Sequence, residues 1–400
     1  MLPRWLELPV YRARLAQAGL VPPGAGKLMD WHCLPFVSKR DMREDFPRNF
    51  LPAGQALESL IERAIVEVEH TSGTSEERTP VLLGRGWWDA QEARALRLNP
   101  LVARVLDDHP CARRAVLTTP TCNGTVCHTK WLPRAQRTLG QALYVNQARI
   151  PFVLKDDELA RIAAEITEWA PQFLDLDPVH GAWFALYCER QGLRFPSLRF
   201  VLASYEFVSV VHRRILERVF GVPVFNLYGS TETGHLLMQA GCGAMRPSHE
   251  NAFLELLETD AAGVGQLVVT TLTNDFMPLL RYRIGDLAAR SGQGAASAYV
   301  VHGRGRDALR RADGARITTW QVDQCFLGLS GVAHYQLRQA ETGECRLRLL
   351  PEGAGLTEAE RQALVERLEN LLQAPGAVVT ETVAMLLPAP SGKFRLTFQG

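Results

Sequence analysis

Residues 224–234 read VFNLYGSTETG, an apolar run that passes directly into a turn of glycine, hydroxyl and carboxylate residues. The run 224–228 predicts a strand, and a similar run at 198–203 predicts a buried strand before it. Between them, residues 208–220 carry apolar side chains at helical spacing and stop at Gly221, a residue typical of helix ends. A strand, a helix and a strand in succession indicate an α/β domain that places this polar turn at the end of a strand.

The same alternation of strand-like and amphipathic segments extends over most of the chain before a Gly/Ala/Ser-rich break at 291–297. Beyond the break, strand-like runs, the amphipathic helix 358–372 and an apolar strand at 378–387 indicate a small α+β domain. We therefore predict an α/β protein of two domains. Residues 1–304 form a large N-terminal domain of mixed β-sheets layered with helices, and residues 305–400 form a small, mobile C-terminal domain.

The composition excludes several classes of protein. The chain has 44 basic and 43 acidic residues in 400, so no strong field would attract nucleic acid or an anionic membrane, and we predict neither as a partner. No apolar run approaches the ~18–20 residues of a membrane span. The N-terminal apolar stretches are interrupted by Arg and Glu, unlike those of a signal peptide. Eight cysteines are too few for a disulfide scaffold, and we predict a cytoplasmic protein.

Two hydroxyl-rich segments have the composition of phosphate-binding loops. Residues 71–75 read TSGTS and residues 228–234 read YGSTETG, so each could surround phosphate oxygens with backbone N–H groups and hydroxyls. Glu232 lies among the hydroxyls of the second segment, where a carboxylate could hold magnesium on a nucleotide phosphate. Taken singly, each segment is equally typical of a polar turn.

Three later motifs place charged residues beside glycine. Residues 281–287 read RYRIGDL, and the carboxylate of Asp286 suits a bidentate hydrogen bond to ribose hydroxyls or, equally, a helix cap. Residues 303–309 read GRGRDAL, and residues 391–395 read SGKFR. The chain has five lysines against 39 arginines, so the lysine of the last motif is expected where arginine cannot serve.

The order and spacing of these five motifs resemble those of the adenylate-forming superfamily of acyl-CoA synthetases, adenylation domains and luciferases. Within it, the chain is most similar to the phenylacetate–CoA ligase branch. Residues 34–47, LPFVSKRDMREDFP, resemble the N-terminal signature of that branch. Residues 265–272 and 278–283 resemble its late strand and the turn that follows.

The resemblance implies an enzyme that activates a carboxylic acid with ATP and magnesium as an acyl-adenylate and then transfers the acyl group to coenzyme A. An acyl carrier protein thiol or an amine is an alternative acceptor, and a non-catalytic nucleotide-binding relative is an alternative to an enzyme. By analogy with the family, the acid is aromatic or small and cyclic. A homodimer is one possible assembly.

The resemblance also implies roles for individual residues. The residues implied at the phosphates of ATP are Thr71, Ser72, Gly73, Thr74, Ser75, Thr231 and Arg316. Tyr228 would lie under the adenine with Gly229 and Ser230 beside it, and Asp286 and Arg304 would bind the ribose. Glu232 would hold magnesium, and Lys393 would bridge the substrate carboxylate and the α-phosphate. Candidate walls of the acid pocket are Trp183, Phe184, Tyr187, Ser204, Tyr205 and His235.

Three segments depart from the family pattern. Glu76, Glu77 and Arg78 stand where the family has Gly, Pro and often Lys, which predicts a loop weak for ATP or a loss of catalysis. Residues 118–128 do not match the aromatic and glycine-rich stretch of phenylacetate ligases, so the substrate pocket is expected to differ. Arg306 stands where Asp is usual.

Zinc is a separate hypothesis. Cys242 and His249 lie where the branch often has a Cys and a His, and both are zinc-ligand types. Their spacing is loose and the chain has no CxxC pair, so scattered buried cysteines are the interpretation that the sequence favours.

Overall fold

The computed structural model describes residues 2–20, 30–52, 54–71, 78–117, 132–146, 148, 150–241, 243–292, 297–389 and 392–400. The chain forms two compact units. The first consists of residues 1–99 and 228–300, and the second of residues 100–227 and 301–400. No helix of the described residues is long and apolar enough to cross a membrane.

Helices and strands alternate along much of the chain. The α-helices of the described residues are α1 (Leu2–Leu6), α2 (Pro9–Gln17), α3 (Lys39–Arg43), α4 (Leu57–Glu62), α5 (Trp87–Leu96), α6 (Pro100–Asp108), α7 (Asp156–Trp169), α8 (Pro178–Arg190), α9 (Val210–Phe220), α10 (Thr319–Gln324) and α11 (Glu358–Leu372). The strands are β1 (Val66–His70), β2 (Pro80–Gly84), β3 (Arg114–Leu117), β4 (Thr138–Leu139), β5 (Ala142–Tyr144), β6 (Phe173–Leu176), β7 (Phe200–Ala203), β8 (Val224–Ser230), β9 (Gly234–Gln239), β10 (Met245–Pro247), β11 (Ala252–Leu257), β12 (Val264–Thr271), β13 (Tyr282–Ser291), β14 (Ala298–Arg304), β15 (Leu309–Arg310), β16 (Arg316–Ile317), β17 (Val332–Gln339), β18 (Cys345–Pro351), β19 (Val378–Thr382) and β20 (Thr397–Gln399).

A parallel sheet organises the second unit. β3 pairs in parallel with β5 and β6, β6 pairs with β7, and β7 pairs with the first residues of β8. All residues of β6 and β7 are buried, as expected for parallel strands covered on both faces. Since parallel strands end at one edge, the residues that follow β6 and β7, beginning with Asp177 and Ser204, lie at the same edge of the sheet.

The C-terminal part of the second unit forms its own sheet in the order β19-β18-β17-β20. Helix α11 buries one stripe of leucines, Leu364, Leu368 and Leu372. Its N-terminus is closed by a capping box in which the Thr357 hydroxyl accepts from the Glu360 backbone N–H at 3.3 Å. Helical spacing and capping therefore explain why α11 has the bounds predicted from the sequence.

The first unit contains the strands β9 to β13 and the first residues of β14, ordered β11-β12-β13-β14-β10-β9, with β11, β12 and β13 paired antiparallel. The N-terminal segment is joined to this sheet through buried hydrogen bonds. The Tyr11 hydroxyl donates to the Pro278 carbonyl at 2.6 Å and accepts from the Leu280 N–H at 2.8 Å. Val37 forms a parallel bridge with Tyr282 of β13. This bridge brings the segment after Val37 to the strand that carries the RYRIGDL motif.

The predicted fold class, α/β with mixed sheets, is confirmed, and two details differ from the sequence interpretation. The predicted strand 378–387 ends at Thr382, because its partner β18 ends at Pro351, which has no N–H to continue a ladder. The helix predicted at 208–220 begins at Val210 and ends before Gly221, which is left-handed at φ 66°. The division into domains 1–304 and 305–400 stays a prediction.

Candidate active site

The turn after β8 needs glycine at two places because the chain doubles back on itself. A Cβ on Gly229 would lie 2.1 Å from the Gly234 carbonyl oxygen, closer than any side chain can come. Gly234 has φ +68°, and a Cβ there would lie 2.8 Å from the Trp87 ring. Trp87 donates in turn to the Thr273 hydroxyl at 3.0 Å. The glycines of YGSTETG therefore give the turn a close-packed geometry, whatever ligand it binds.

Glu232 is a buried carboxylate at the centre of this turn, with 3% of its surface exposed. The Tyr282 hydroxyl donates to its Oε1 at 2.8 Å, and the Lys39 ammonium lies 3.4 Å from the same oxygen. Burial opposes ionisation of Glu232, but the Lys39 charge and the Tyr282 hydrogen bond outweigh it, so the pKa of Glu232 lies below its usual value. The turn therefore presents a charged carboxylate among the hydroxyls of Ser230, Thr231 and Thr233.

Tyr228 and Asp286, two residues implied at the nucleotide, are in direct contact. The Tyr228 hydroxyl donates to Asp286 Oδ2 at 2.6 Å. Tyr228 lies on the last part of β8, and Asp286 lies near the middle of β13 after Gly285, which has φ +88°. The structure therefore brings the YGSTETG and RYRIGDL motifs together within the first unit through two hydrogen bonds, this one and that of Tyr282 to Glu232.

Lys39 is placed by the segment that resembles the phenylacetate ligase signature. Val37 exchanges backbone hydrogen bonds with the strand residues, donating to the Arg281 carbonyl at 3.3 Å and accepting from the Arg283 N–H at 2.9 Å. Lys39 then opens α3, whose N-cap Ser38 forms a capping box with Asp41. Register with β13 and a capped helix together direct Lys39 to Glu232.

Thr71 and His235 are two further residues of the first unit for which the resemblance implied a role, and each contacts neighbours of its own. Thr71 is buried, and its hydroxyl accepts from the Thr79 N–H at 3.2 Å. Ser72, Gly73, Thr74 and Ser75 lie outside the described residues, as do Glu76 and Glu77. The ring of His235 packs edge-on against that of Trp88, with centroids 4.6 Å apart.

The described residues do not supply a set of zinc ligands. His249 is exposed on a turn, and Cys242 lies outside the described residues. The described part of the chain contains no group of three or more His, Cys, Asp or Glu side chains suited to a metal ion.

Lys393 lies in the second unit, in a loop that contacts the segment after β7. Its ammonium donates to the Tyr205 carbonyl at 2.6 Å, and the N–H of the next residue, Phe394, donates to Glu206 Oε1 at 2.9 Å. Burial and the nearby Asp177 charge raise the pKa of Glu206 well above its usual value, although Lys393 opposes this. The loop is therefore held to residues 205 and 206 by its lysine and by a backbone N–H.

The predicted pocket walls of the second unit fall into two groups. Ser204 and Tyr205 both contact the buried Asp175, with the Ser204 hydroxyl 2.9 Å from Oδ1 and the Tyr205 hydroxyl 3.4 Å from Oδ2. Arg114 lies 3.6 Å from the same carboxylate. This group is a polar cluster at the end of the parallel sheet, and Arg114 is a basic partner for its carboxylate.

The remaining predicted walls lie on α8. The Trp183 ring packs against that of Phe152, with centroids 5.1 Å apart. Tyr187 is buried, and Phe184, 1% exposed, belongs to the packed core between Phe195 and Phe220. Packing alone therefore explains the aromatic side chain at Phe184. Arg304 and Arg316 lie in the second unit on β14 and β16, and Arg304, like Lys393, partly opposes the rise in the pKa of Glu206 that burial causes.

Sequence reasoning missed several residues that the structure places beside the implied ones. Lys39 and Tyr282 both contact Glu232, and each lies inside a motif quoted for the resemblance. Because lysine is rare in this chain, the residue type alone could have indicated a specific role for Lys39. Asp177 caps α8, and its carboxylate lies 3.2 Å from His180 Nδ1. Burial alone would raise the pKa of Asp177, but the interactions with His180 outweigh burial, so this pKa lies below its usual value. No local pattern identified this pair.

No protein-family model matches the chain. The chain is 25% identical over 365 residues to a phenylacetate–coenzyme A ligase of Thermus thermophilus, with 86% of this chain and 77% of the relative covered. It is 21% identical over 395 residues to a phenylacetate–coenzyme A ligase of Pseudomonas putida, with 92% of this chain and 83% of the relative covered.

Solved structures share the fold at lower identity. A 2-hydroxyisobutyryl-CoA ligase in the postadenylation state superposes with a TM-score of 0.70 at 18% identity, covering all of this chain and 85% of the other. An anthranilate CoA ligase with anthranoyl-AMP has a TM-score of 0.58 at 16% identity, covering 93% of this chain and 70% of the other. The chain is therefore similar in sequence to phenylacetate–coenzyme A ligases and shares the fold of acyl-CoA ligases.

Proposed function

We propose that the protein joins a carboxylic acid to ATP as an acyl-adenylate and then transfers the acyl group to coenzyme A. In the first step a carboxylate oxygen attacks the α-phosphorus, and the bond to the pyrophosphate leaving group breaks. In the second step a thiol attacks the acyl carbon, loses its proton and releases AMP. The observation that supports this most strongly is the buried Glu232 in the YGSTETG turn, beside the Tyr228–Asp286 hydrogen bond.

The relatives and structural neighbours support the same reaction class. Two relatives are named phenylacetate–coenzyme A ligases, and neighbours of the same fold were solved with an acyl-AMP, with coenzyme A or with ATP. ATP and coenzyme A are therefore the proposed co-substrates. A carrier-protein thiol or an amine is the alternative acceptor, and cytoplasmic location and a homodimer are part of the proposal.

The residues of the first unit are proposed to handle the nucleotide. Asp286 would bind the ribose, Tyr228 would lie under the adenine, and Thr231 would contact the α-phosphate. The donors of the turn, one carboxylate and several hydroxyls, are the hard oxygen ligands that magnesium prefers, so they fit this ion, with Glu232 as the residue that would hold it. Bound magnesium would neutralise the charge that develops on the phosphate oxygens.

Further nucleotide contacts are proposed on the resemblance alone. They are Thr71, Ser72, Gly73, Thr74, Ser75, Gly229, Ser230, Arg304 and Arg316.

We propose that Lys393 stabilises the first step and that the small domain 305–400 carries this lysine. An ammonium placed at the attacking carboxylate and the α-phosphate would offset negative charge as it accumulates. The lysine is a compact charge on a flexible stem, which suits this role better than a planar guanidinium. The proposed rotation of residues 305–400 between the half-reactions would remove Lys393 before thiol attack.

The acid is proposed to be aromatic or small and cyclic. Trp183 packs against Phe152 and offers an aromatic surface, while Ser204 and Tyr205 hold the carboxylate of Asp175. A pocket with both aromatic and polar walls would favour an acid that carries a ring and a hydrogen-bonding group.

Pyrophosphate release with a panel of aryl and small cyclic acids tests the proposal. We expect release that needs ATP, magnesium and one acid of the panel, and we expect an acyl-CoA product by mass spectrometry when coenzyme A is added. ATP binding without release with any acid would instead support the non-catalytic alternative.

A further inference from the structure

Lys39 contacts the carboxylate that the proposed function assigns to magnesium. Its ammonium lies 3.4 Å from Glu232 Oε1, and the side chains are 32% and 4% exposed. The Tyr282 hydroxyl donates to the same oxygen, so Oε1 is held from two directions. Both partners come from elements in fixed register, because Val37 bridges Tyr282. The contact is therefore built into the fold of the first unit.

A lysine and a divalent cation compete when both are attracted to one buried carboxylate. A carboxylate removed from water is costly without a counter-charge, and the ammonium supplies one. The same positive charge repels a cation that approaches the same oxygen. Lysine also has a long flexible stem with a single compact charge, so it can leave the carboxylate for a phosphate oxygen when nucleotide binds.

We propose that Lys39 is a positioning residue that holds Glu232 as a counter-ion before nucleotide binds and sets how strongly ATP binding depends on magnesium. The inference rests on the proposed function, since it takes Glu232 to be the magnesium ligand. In the free protein, Lys39 neutralises Glu232. In the complex, its charge lies next to the triphosphate and replaces part of the attraction that magnesium otherwise supplies.

The phosphate loop makes such a cation useful. The loop has Glu76 and Glu77 where the family pattern has glycine and proline, and it lacks the lysine that often follows. The resemblance implies that this loop would contact the triphosphate, where two carboxylates would be unfavourable and a lysine from another segment would offset one of them. Lys39 is one of five lysines in a chain with 39 arginines, so its type is unusual for this protein.

The test measures ATP binding by calorimetry, once with EDTA and once with saturating magnesium. The quantity compared is the gain in ATP affinity on adding magnesium. In Lys39→Met the metal-free affinity should fall and Glu232 should bind the metal without a competitor, so the gain should grow ~3- to 10-fold, the scale of one partly exposed ion pair. Lys39→Arg keeps the charge and should lie between the wild type and Lys39→Met.

Lys155→Met is the matched control, because Lys155 is an exposed lysine in the second unit and should leave the gain unchanged. If Lys39→Met does not fold by thermal melting, Lys39→Gln provides the same test with a polar side chain. A gain that is unchanged or smaller after loss of the Lys39 charge overturns the inference and makes the residue merely structural. If the wild type binds no ATP under either condition, the proposed function fails, and this inference with it.

Discussion

The Tyr228 hydroxyl lies 2.6 Å from Asp286 Oδ2, so two residues that are 58 positions apart in sequence share one hydrogen bond. Tyr228 lies near the end of β8, the strand that enters the YGSTETG turn, and Asp286 comes from the RYRIGDL motif. The contact orients the carboxylate of Asp286. In the proposed function the pair recognises the nucleoside part of ATP.

The first prediction follows from this pair. Asp286→Ala should weaken ATP binding by ~10-fold or more, because a charged acceptor of ribose hydroxyls is worth about 1.5–3 kcal/mol. Binding of 2′,3′-dideoxy-ATP should change little, since it has no hydroxyls for Asp286 to hold. Calorimetry with the two nucleotides measures both. Tyr228→Phe removes only the orienting hydroxyl and should have a smaller effect. Equal losses for both nucleotides would place Asp286 outside the ribose site.

The second prediction concerns Glu232. Glu232→Gln keeps the size and one carbonyl oxygen but removes the charge, so adenylation should slow by ~10²-fold or more, corresponding to several kcal/mol. Higher magnesium should restore part of the rate, because weaker coordination is overcome by mass action. Pyrophosphate release across a magnesium series is the measurement. A near wild-type rate at low magnesium would remove Glu232 from the site.

The third prediction separates the half-reactions. Lys393→Ala should reduce adenylate formation by ~10²-fold or more, the scale of a lost oxyanion donor. Transfer to coenzyme A from a supplied acyl-adenylate should stay near the wild-type rate. Single-turnover assays of each half-reaction give the two rates. An equal loss in both would mean that the contact of Lys393 with the Tyr205 carbonyl is structural.

The fourth prediction concerns pH and stability. His212 Nε2 lies 3.0 Å from His334 Nδ1 in the second unit, and both rings are buried. Burial lowers the pKa of His212 to about 4, with Arg214 acting in the same direction and Asp177 opposing. Burial and the neighbouring His212 lower the pKa of His334 well below its usual value.

Because the folded protein holds these histidines neutral, the unfolded chain binds more protons as the pH falls. The stabilisation is present in full above the usual histidine pKa of ~6.5 and is lost as the pH falls from there toward 4. Denaturant unfolding should lose on the order of 3 kcal/mol over that range for His212 alone. His212→Gln should flatten the profile, and an unchanged slope would contradict the assignment to this pair.

The helices and the glycine-rich turn could be predicted because their causes are local. Apolar spacing and a C-terminal glycine mark the helix before Gly221, and a capping box marks the start of α11 at Thr357. The strand predicted to reach residue 387 was too long, because its end is set by Pro351 on the neighbouring strand. A limit imposed by a pairing partner does not appear in the segment itself.

The candidate site could be predicted only in part for the same reason. Motifs identified Glu232, Tyr228 and Asp286, but their partners depend on register between distant segments. Lys39 reaches Glu232 only because Val37 bridges β13. Register between distant segments of the chain is set by tertiary packing, and the periodicity of a single segment does not encode it.

In the proposed function, the carboxylate of the substrate becomes bonded to the phosphorus of AMP before transfer. An active acid from the panel, labelled with oxygen-18 in its carboxylate, tests this most directly when it is incubated with ATP, magnesium and coenzyme A. The AMP formed should carry one labelled oxygen, because the acyl–oxygen bond of the adenylate breaks when the thiol attacks. Unlabelled AMP, or a label found in inorganic phosphate with ADP as the product, would contradict an acyl-adenylate and with it the proposed function.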